Sequence, residues 1–529
     1  MSGAQKQSFT AMLLWLAAAS LAGIMVWQLF SKIVYVSVDS GIYLDSARAL
    51  LAGARPYIDF VDINPPLAMY LHVPVVWLAD ILNTDSIAAY FVTVVAFILC
   101  SSLVSFYLAK RILPADYRIA AFAIALTLIY SLHNFDSSWF GQREQLFMLA
   151  LLPYLLLRIA RLHDVAVPVY LSIAIGIAAG LMASLKPPQF GAIMVGVELL
   201  ICLRHRSLRV LIAPEITAAI GVSLAYVALF YFLGGASFDV FVNRYVPLFT
   251  SSYNAMNDPD GMVLPTLLRR FGLEVAIVFV GWCATMLLKI PKVLRDLSTL
   301  ALVVCVMGIV VYIAQAKGFG YHEMPMRFSA NLMLCLLCGI VVHKLLLRFR
   351  VDTAHMPYMA LLCVLFFMAG ISATFSSANN AAYRSTQGLV KLIADNSSRG
   401  DRVAIFGVTP LWYYPSLVQQ DRYSGTRYAF SFMIPMLYDG ASVEPDIPHG
   451  YKVAGNRIDQ EQLYKSEIQE DIEKLKPELV IIYRRDCQWC LPGFSMEEYF
   501  LGQAEEFPFL QDYLIDRSND WYLVLTPKS

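Results

Sequence analysis

The sequence predicts an α-helical polytopic membrane protein carrying a small α/β domain at its C-terminal end. Three observations predict it. Of 529 residues, 58% are hydrophobic and 15% charged, against about 45–50% and about 25% in soluble domains. Windows of roughly 20 apolar residues, enough to cross about 30 Å of hydrocarbon, recur through residues 1–375. Beyond residue 376 charge returns, and Val/Ile-rich runs alternate with helix-like stretches. The formal net charge is zero, so no basic field points to nucleic acid. There is no Gly-rich phosphate loop and no convincing internal repeat, which argues against a transporter built from repeated halves.

The chain opens with Lys6 and a long apolar run that has no small-residue cleavage site before Asp39. A retained first helix is expected there rather than a removed signal peptide. About eleven spans follow from hydropathy, near 10–33, 88–109, 118–133, 145–162, 168–185, 188–203, 210–233, 272–290, 297–316, 327–347 and 356–375. Spans 168–185 and 188–203 are short and meet at Lys186-Pro187-Pro188, as a hairpin would. The stretch 65–84 is apolar but short, opens with Pro65-Pro66 and holds His72 and Asp80. Counting it as a span would put the later basic loops on the wrong side, so it is expected as a helix lying on the membrane surface.

Orientation follows from cations in short loops. Lys110, Arg111 and Arg118 lie on one side, as do Arg158 and Arg161, then Arg204, Arg206 and Arg209, then Lys289, Lys292 and Arg295, then Lys344, Arg348 and Arg350. That side is expected to be cytoplasmic, with the N-terminus. The opposite side carries Asp39, Asp45, Asp59, Asp62, Asp136, Asp258 and Asp260. With an odd number of spans, residues 376–529 are expected outside the cytoplasm, as a domain distinct from 1–375. Strands are expected at 402–406, 479–483 and 521–525, and helices near 385–396, 459–475 and 496–505.

Polar groups beside lipid are costly and tend to be functional. The first outer loop is the richest in them. Asp39-Ser40 follows the first span, a helix-like stretch runs from Tyr43 to about Ala52, Gly53-Ala54-Arg55-Pro56-Tyr57 makes a turn, and Asn64-Pro65-Pro66 opens the surface helix. Taken alone, Asp39 reads first as the N-cap of the helix that follows it.

The order of those four features resembles the first periplasmic loop of the GT-C glycosyltransferases. More narrowly, it is similar to the branch holding the lipid A aminoarabinose transferase and the protein mannosyltransferases. The resemblance covers topology over 10–375 and motif over 38–68. It implies a GT-C-like fold, a bacterial inner-membrane location with the C-terminal domain in the periplasm, and transfer of a sugar, with inversion, from a polyprenyl-phosphate donor. The acceptor class it implies is a periplasmic glycan, a lipid such as lipid A, or a protein. Asp39 would be the base that withdraws the acceptor proton. Many relatives place a second acid directly after this Asp, where this chain has Ser40. No cofactor is implied; a divalent metal stays open, although one built on an adjacent acidic pair is put in doubt.

The leaving group of such a reaction is an anionic phosphate, so cations should surround it. The resemblance points to Lys186 at the hairpin tip; the plainer reading is a lysine snorkelling to the surface. Lys317, Tyr321, His322 and Arg327 cluster after the span at 297–316 and suit a phosphate and a sugar, although His322 beside Glu323 equally suits an interface pair. Arg55 and Tyr57 in the first loop are further donor-site candidates. Asp59, Arg143, Glu144, Arg244 and Tyr253 are candidates for acceptor or lid contacts, the last two within 235–271, which reads as a long loop and a candidate lid. The plainer reading of Arg143 and Glu144 is a surface anchor next to Trp139.

Seven cysteines lie in apolar stretches and read as small hydrophobes. Cys487 and Cys490 form a Cys-x-x-Cys motif in the outer domain. A thioredoxin-like site needs the motif to open a helix, and Pro492-Gly493 follows it at once. Zinc needs two further ligands. A local disulfide is the preferred reading. Two other functions compete with glycosyl transfer: a ligase or polymerase using diphosphate-linked saccharide, and a non-catalytic transporter.

Overall fold

The computed structural model describes residues 37–131, 139–252, 257–258, 260–348, 388–408, 414, 416–484, 491–518 and 521–528. The expected spans at 10–33 and 356–375 lie outside the described residues, as do Tyr253, Cys487 and Cys490. The chain divides into two compact units. The first takes in Phe91–Val227 and Asp258–Ala381, and the second Val36–Tyr90, Ala228–Asn257 and Ala382–Ser529.

The first unit is helical. Among the described residues, seven helices are long and apolar enough to cross a membrane: Ser86–Ile112, Arg143–Leu162, Pro187–His205, Pro214–Gly234, Leu264–Leu287, Lys292–Gln315 and Gly320–Leu345. Their environments differ in a way their sequences explain. Only 17% of the apolar window of Pro214–Gly234 is buried by protein, and the side chains it leaves exposed include Leu229, Tyr231, Phe232 and Leu233, a surface suited to lipid. For Arg143–Leu162 the share is 89%, so the polar residues at its start, Arg143, Glu144 and Gln145, are sunk among neighbouring helices.

The hairpin expected around Lys186 is present. Val169–Ala183 has 15 residues, and Pro187 opens the next helix, Pro187–His205, at its first position, where a missing N–H costs nothing. The short helix crosses Pro214–Gly234 at two glycines. A Cβ on Gly176 would lie 2.2 Å from the Glu215 carbonyl oxygen, and one on Gly180 would lie 2.4 Å from that of Ala219. Gly176 and Gly180 are the small-x-x-x-small spacing that lets membrane helix backbones touch. At one end of the same region Arg158, fully buried, bridges Glu198 and Glu215 at 2.7 Å each. Arg161 pairs with Glu215 at 3.2 Å.

Two expectations need correction. The stretch 118–133 is not one helix: Arg118–Ala125 and Thr127–Ser131 are separated by a turn at Leu126. The stretch 235–271 is not a loop but is mostly helical, with Ala236–Val240, Phe241–Tyr245 and Val246–Ser252 in succession, and Arg269 and Arg270 already inside Leu264–Leu287.

The second unit is built on a five-stranded mixed sheet in the order β2-β1-β5-β7-β6. Its strands are β1 (Arg402–Phe406), β2 (Tyr423–Ser424), β5 (Leu479–Tyr483), β6 (Tyr513–Ser518) and β7 (Tyr522–Pro527); β3 (Ser442–Val443) and β4 (Tyr451–Lys452) form a separate pair. β1 and β5 are parallel and almost wholly buried, which is why they read as continuous apolar runs. β7 closes back on β5 antiparallel and pairs with β6. The surface-type helix Leu67–Ile81 has 15 residues, about 22 Å at 1.5 Å per residue and short of a full crossing. It packs against Val38–Leu51.

Two earlier stretches of chain complete this unit. Val61 donates its amide to the Arg427 carbonyl at 2.7 Å, and Tyr57 and Tyr245 enter the same apolar core as Tyr428 and Phe432. Arg244 holds Glu467 through two hydrogen bonds of 2.6 Å, and Arg427 pairs with Glu467 at 3.0 Å and with Asp471 at 2.9 Å. Burial raises the Glu467 pKa, but the Arg244 and Arg427 guanidiniums outweigh it and hold the carboxyl below its usual range.

Candidate active site

The helix Val38–Leu51 carries Asp39, and its N-terminus decides what that carboxylate can do. Ser37 is the N-cap: its hydroxyl accepts from the Ser40 amide at 3.1 Å. The reading of Asp39 as the cap is therefore corrected. Asp39 lies in the first turn, half-buried, where a carboxylate is favoured by the helix dipole. Beside it, the Ser40 hydroxyl lies 2.6 Å from that of Ser37 and donates to the Tyr90 hydroxyl at 3.3 Å. The His72 ring stacks on Tyr90 at 4.7 Å and lies 5.5 Å from the Tyr43 ring. His72 Nδ1 is 2.6 Å from the Ala68 carbonyl, so Nδ1 carries the proton, while buried Nε2 has no hydrogen-bond partner. Burial pushes the His72 pKa down to about 4. His72, Tyr43 and Tyr90 were not singled out from sequence as site residues, though a histidine in the apolar 65–84 stretch was the available signal.

The rest of the first loop is fixed by contacts of its own. Tyr57 takes a positive φ of 64°, hydrogen-bonds the Asn64 carbonyl at 2.5 Å and packs on Phe241 at 4.5 Å. Arg55 is exposed and pairs with Asp59 at 3.1 Å.

In the first unit, the hairpin tip and the segment after Lys292–Gln315 bring together ionisable groups far apart in sequence. Lys186 donates to Glu144 Oε1, and its ammonium lies 3.3 Å from His322 Nε2. Glu144 and His322 are 3.9 Å apart. The Lys186 ammonium sits over the Tyr321 ring at 5.0 Å, and Tyr321 meets His322 edge to face at 4.6 Å. Arg143 and Lys317 also act electrostatically on His322. Arg327 pairs with Glu323 at 2.7 Å and lies over Trp139 at 5.1 Å. Gly320 must be glycine to fit there, since a Cβ would come within 2.5 Å of the Trp139 ring.

The group is almost closed to solvent: Glu144 is 2% exposed, Arg143 4%, Lys317 5% and His322 7%. Burial pushes the Lys317 ammonium down to about 8. Glu144 Oε2 and His322 Nδ1 have no hydrogen-bond partner. The sequence candidates Lys186, Lys317, Tyr321, His322 and Arg327 thus fall in one neighbourhood. Arg143 and Glu144 join it rather than anchoring at the surface, and Arg244 belongs to the salt-bridge network of the second unit. No group of three or more His, Cys, Asp or Glu side chains suited to a metal ion occurs among the described residues.

The helices and the sheet define an α-helical polytopic membrane protein with a C-terminal mixed-sheet domain. The solved structures it matches include two of ArnT from Cupriavidus metallidurans, one bound to undecaprenyl phosphate and one in the apo state. The TM-scores are 0.55 and 0.56, each at 12% identity and covering 98% of both chains. At that identity the likeness establishes the fold. No family model matches the sequence, and no curated protein matches it.

Proposed function

We propose that this chain is an integral-membrane glycosyltransferase that takes a sugar from a polyprenyl-phosphate donor and gives it to an acceptor on the non-cytoplasmic side of a bacterial inner membrane. The observation that carries the reading is the buried group around Lys186. Among the described residues, Arg143, Lys186, Lys317 and Arg327 gather there with Glu144 and Glu323, and Arg270 and Glu274 also act on Glu323. Arginine and lysine are the usual binders of phosphate oxygens, so a group of them gathered in one place suits an anion. A polyprenyl phosphate supplies one, and the fold is shared with a protein crystallised with such a lipid.

Lys186, Lys317, Arg143 and His322 hold the donor phosphate and stabilise the charge that gathers on it as the anomeric C–O bond breaks. Asp39 accepts the proton of the acceptor hydroxyl while its oxygen bonds to the anomeric carbon. The products are the glycosylated acceptor and free polyprenyl phosphate, and a single in-line displacement inverts the anomeric centre. The cation-rich loops support the orientation. Arg158 and Arg161 are neutralised by Glu198 and Glu215, so the other four loops carry most of that bias.

The test is transfer of radiolabelled sugar from polyprenyl-phosphate donors by membranes holding wild type, Asp39→Asn or Lys186→Met at equal expression. Loss of transfer in both variants is expected. Full activity in Asp39→Asn would remove the base, and a wild type that consumes no monophosphate-linked donor would overturn the reading.

A further inference from the structure

The second unit contains a cavity of about 550 Å3, within the roughly 300–1,000 Å3 range of small-molecule sites. One wall is the helix Val38–Leu51, with the turn that follows it. The others come from β1, β2 and the end of the helix Ile458–Leu475. None of its residues belongs to the phosphate group around Lys186.

The lining has a particular chemistry. Arg48, Arg402, Arg427 and Lys474 only donate hydrogen bonds, and Asp45, Asp59 and Asp471 only accept them. Each cation has a carboxylate close by. Lys474 is 3.9 Å from Asp59, and Arg427 is 2.9 Å from Asp471. Arg48 and Arg402 both act on Asp45, which also accepts from the Tyr414 hydroxyl at 3.0 Å. Burial raises the Asp45 pKa above the usual carboxylate range, with those partners opposing it. A compact anion placed here would face three carboxylates, and a cation would face four cations. A polyol meets neither penalty. Each hydroxyl both donates and accepts, so it can bridge a guanidinium to a carboxylate without adding charge. Ile58, Phe60 and Ala52 add apolar surface for the C–H face of a ring.

We propose that this cavity is a saccharide-binding site that holds a mono- or disaccharide unit of a glycan acceptor. The assignment of acceptor rests on the transferase reading above; the binding of sugar does not. Asp45 follows Asp39 by six residues on one helix, about 9 Å along its axis. An occupant therefore grips the same rigid element that carries the proposed base.

The experiment is saturation-transfer NMR on the full chain in nanodiscs, without donor lipid. The probes are glucose, glucosamine, glucuronate, lactose and chitobiose, with inorganic phosphate and a lysine-rich peptide as controls. At least one sugar should give signal, and Ala52→Trp, which sets a bulky ring on an exposed part of the cavity lining, should reduce it at least fivefold. Asp45→Asn tests the polar wall and should weaken the signal as well, with thermal unfolding confirming that both variants fold. Signal from no sugar, from phosphate or peptide only, or signal unchanged in both variants would overturn the site. A chain that binds sugar here yet consumes no polyprenyl-phosphate donor overturns the transferase reading and leaves the site standing. A chain that transfers sugar yet binds none here does the reverse.

Discussion

The Ser37 hydroxyl accepts a hydrogen bond from the Ser40 amide at 3.1 Å, and this contact gives the cap of the helix to Ser37 rather than Asp39. The two residues should therefore respond oppositely to substitution. Ser37→Ala should cost about 1 kcal/mol of stability, as loss of an N-cap does. Asp39→Asn keeps the cap and should still fold, while transfer falls by about 10²–10⁴, the usual contribution of a general base. Thermal unfolding and donor consumption measured on the same preparations separate the two effects. An Asp39→Asn protein that unfolds early but transfers normally would restore the capping role.

Lys186 and Glu144 should be coupled. Both are largely buried, with 11% and 3% of their side chains exposed. Removing one partner of such a pair strands the other's charge, at about 3–5 kcal/mol. Glu144→Gln with Lys186→Met should be less destabilised than the sum of the single variants, yet bind no polyprenyl phosphate. A double-mutant cycle on unfolding measures the coupling, and strictly additive losses would show that the contact carries no energy.

Lys317 gives the site a pH dependence. Because burial brings its pKa to about 8, raising pH from about 7 to about 9 should discharge it and weaken polyprenyl-phosphate binding. Lys317→Arg should abolish that weakening, since arginine stays charged. Stability moves in the other direction. An unfolded lysine titrates near 10.4, so between about 8 and that value the unfolded chain holds more protons, and this group adds stability as pH rises. Affinity measured by fluorescence quenching across this range would expose a flat profile if Lys317 does not face the phosphate.

The close helix crossing should tolerate nothing larger than glycine. Gly176→Leu must push Val169–Ala183 away from the Glu215 backbone, and overpacking of this kind costs about 1–3 kcal/mol or more. Gly221→Ala lies on one of the same two helices but meets nothing within 4 Å, so it should be neutral. Equal melting of the two variants would mean that the helices do not touch there.

Helices that must satisfy lipid announce themselves, so the described spans were legible as apolar runs. The small domain was legible because β1 and β5 are buried on both faces. Short-range geometry was harder to read. The break at Leu126 has no proline or glycine to mark it, and the helices within 235–271 were masked by Gly234, Gly235 and Pro247, which read as loop residues. Ser37 was passed over because one acceptor looks like another until the helix start is fixed to the residue. Partnerships across the chain were not legible at all. Lys186 and His322 each sat visibly at a helix end, but hydropathy cannot say that segments 136 residues apart meet. The same holds for the cavity, whose Asp45 and Tyr414 are separated by 369 residues.

The second unit also sets a schedule. Its first stretch ends at Tyr90 and its last begins at Ala382, about 290 residues later on the ribosome. The helix bearing Asp39 ends at Leu51 and β5 ends at Tyr483, so at about 5–20 residues per second it waits roughly 20–90 seconds before the sheet that shelters Tyr57 and Asp45 exists. During that interval Tyr57 lacks its later partners in the core, among them Tyr428 and Phe432. A nascent chain stalled before residue 382 should therefore be bound by chaperones through residues 36–90, and release should come only once β1 and β5 have been made.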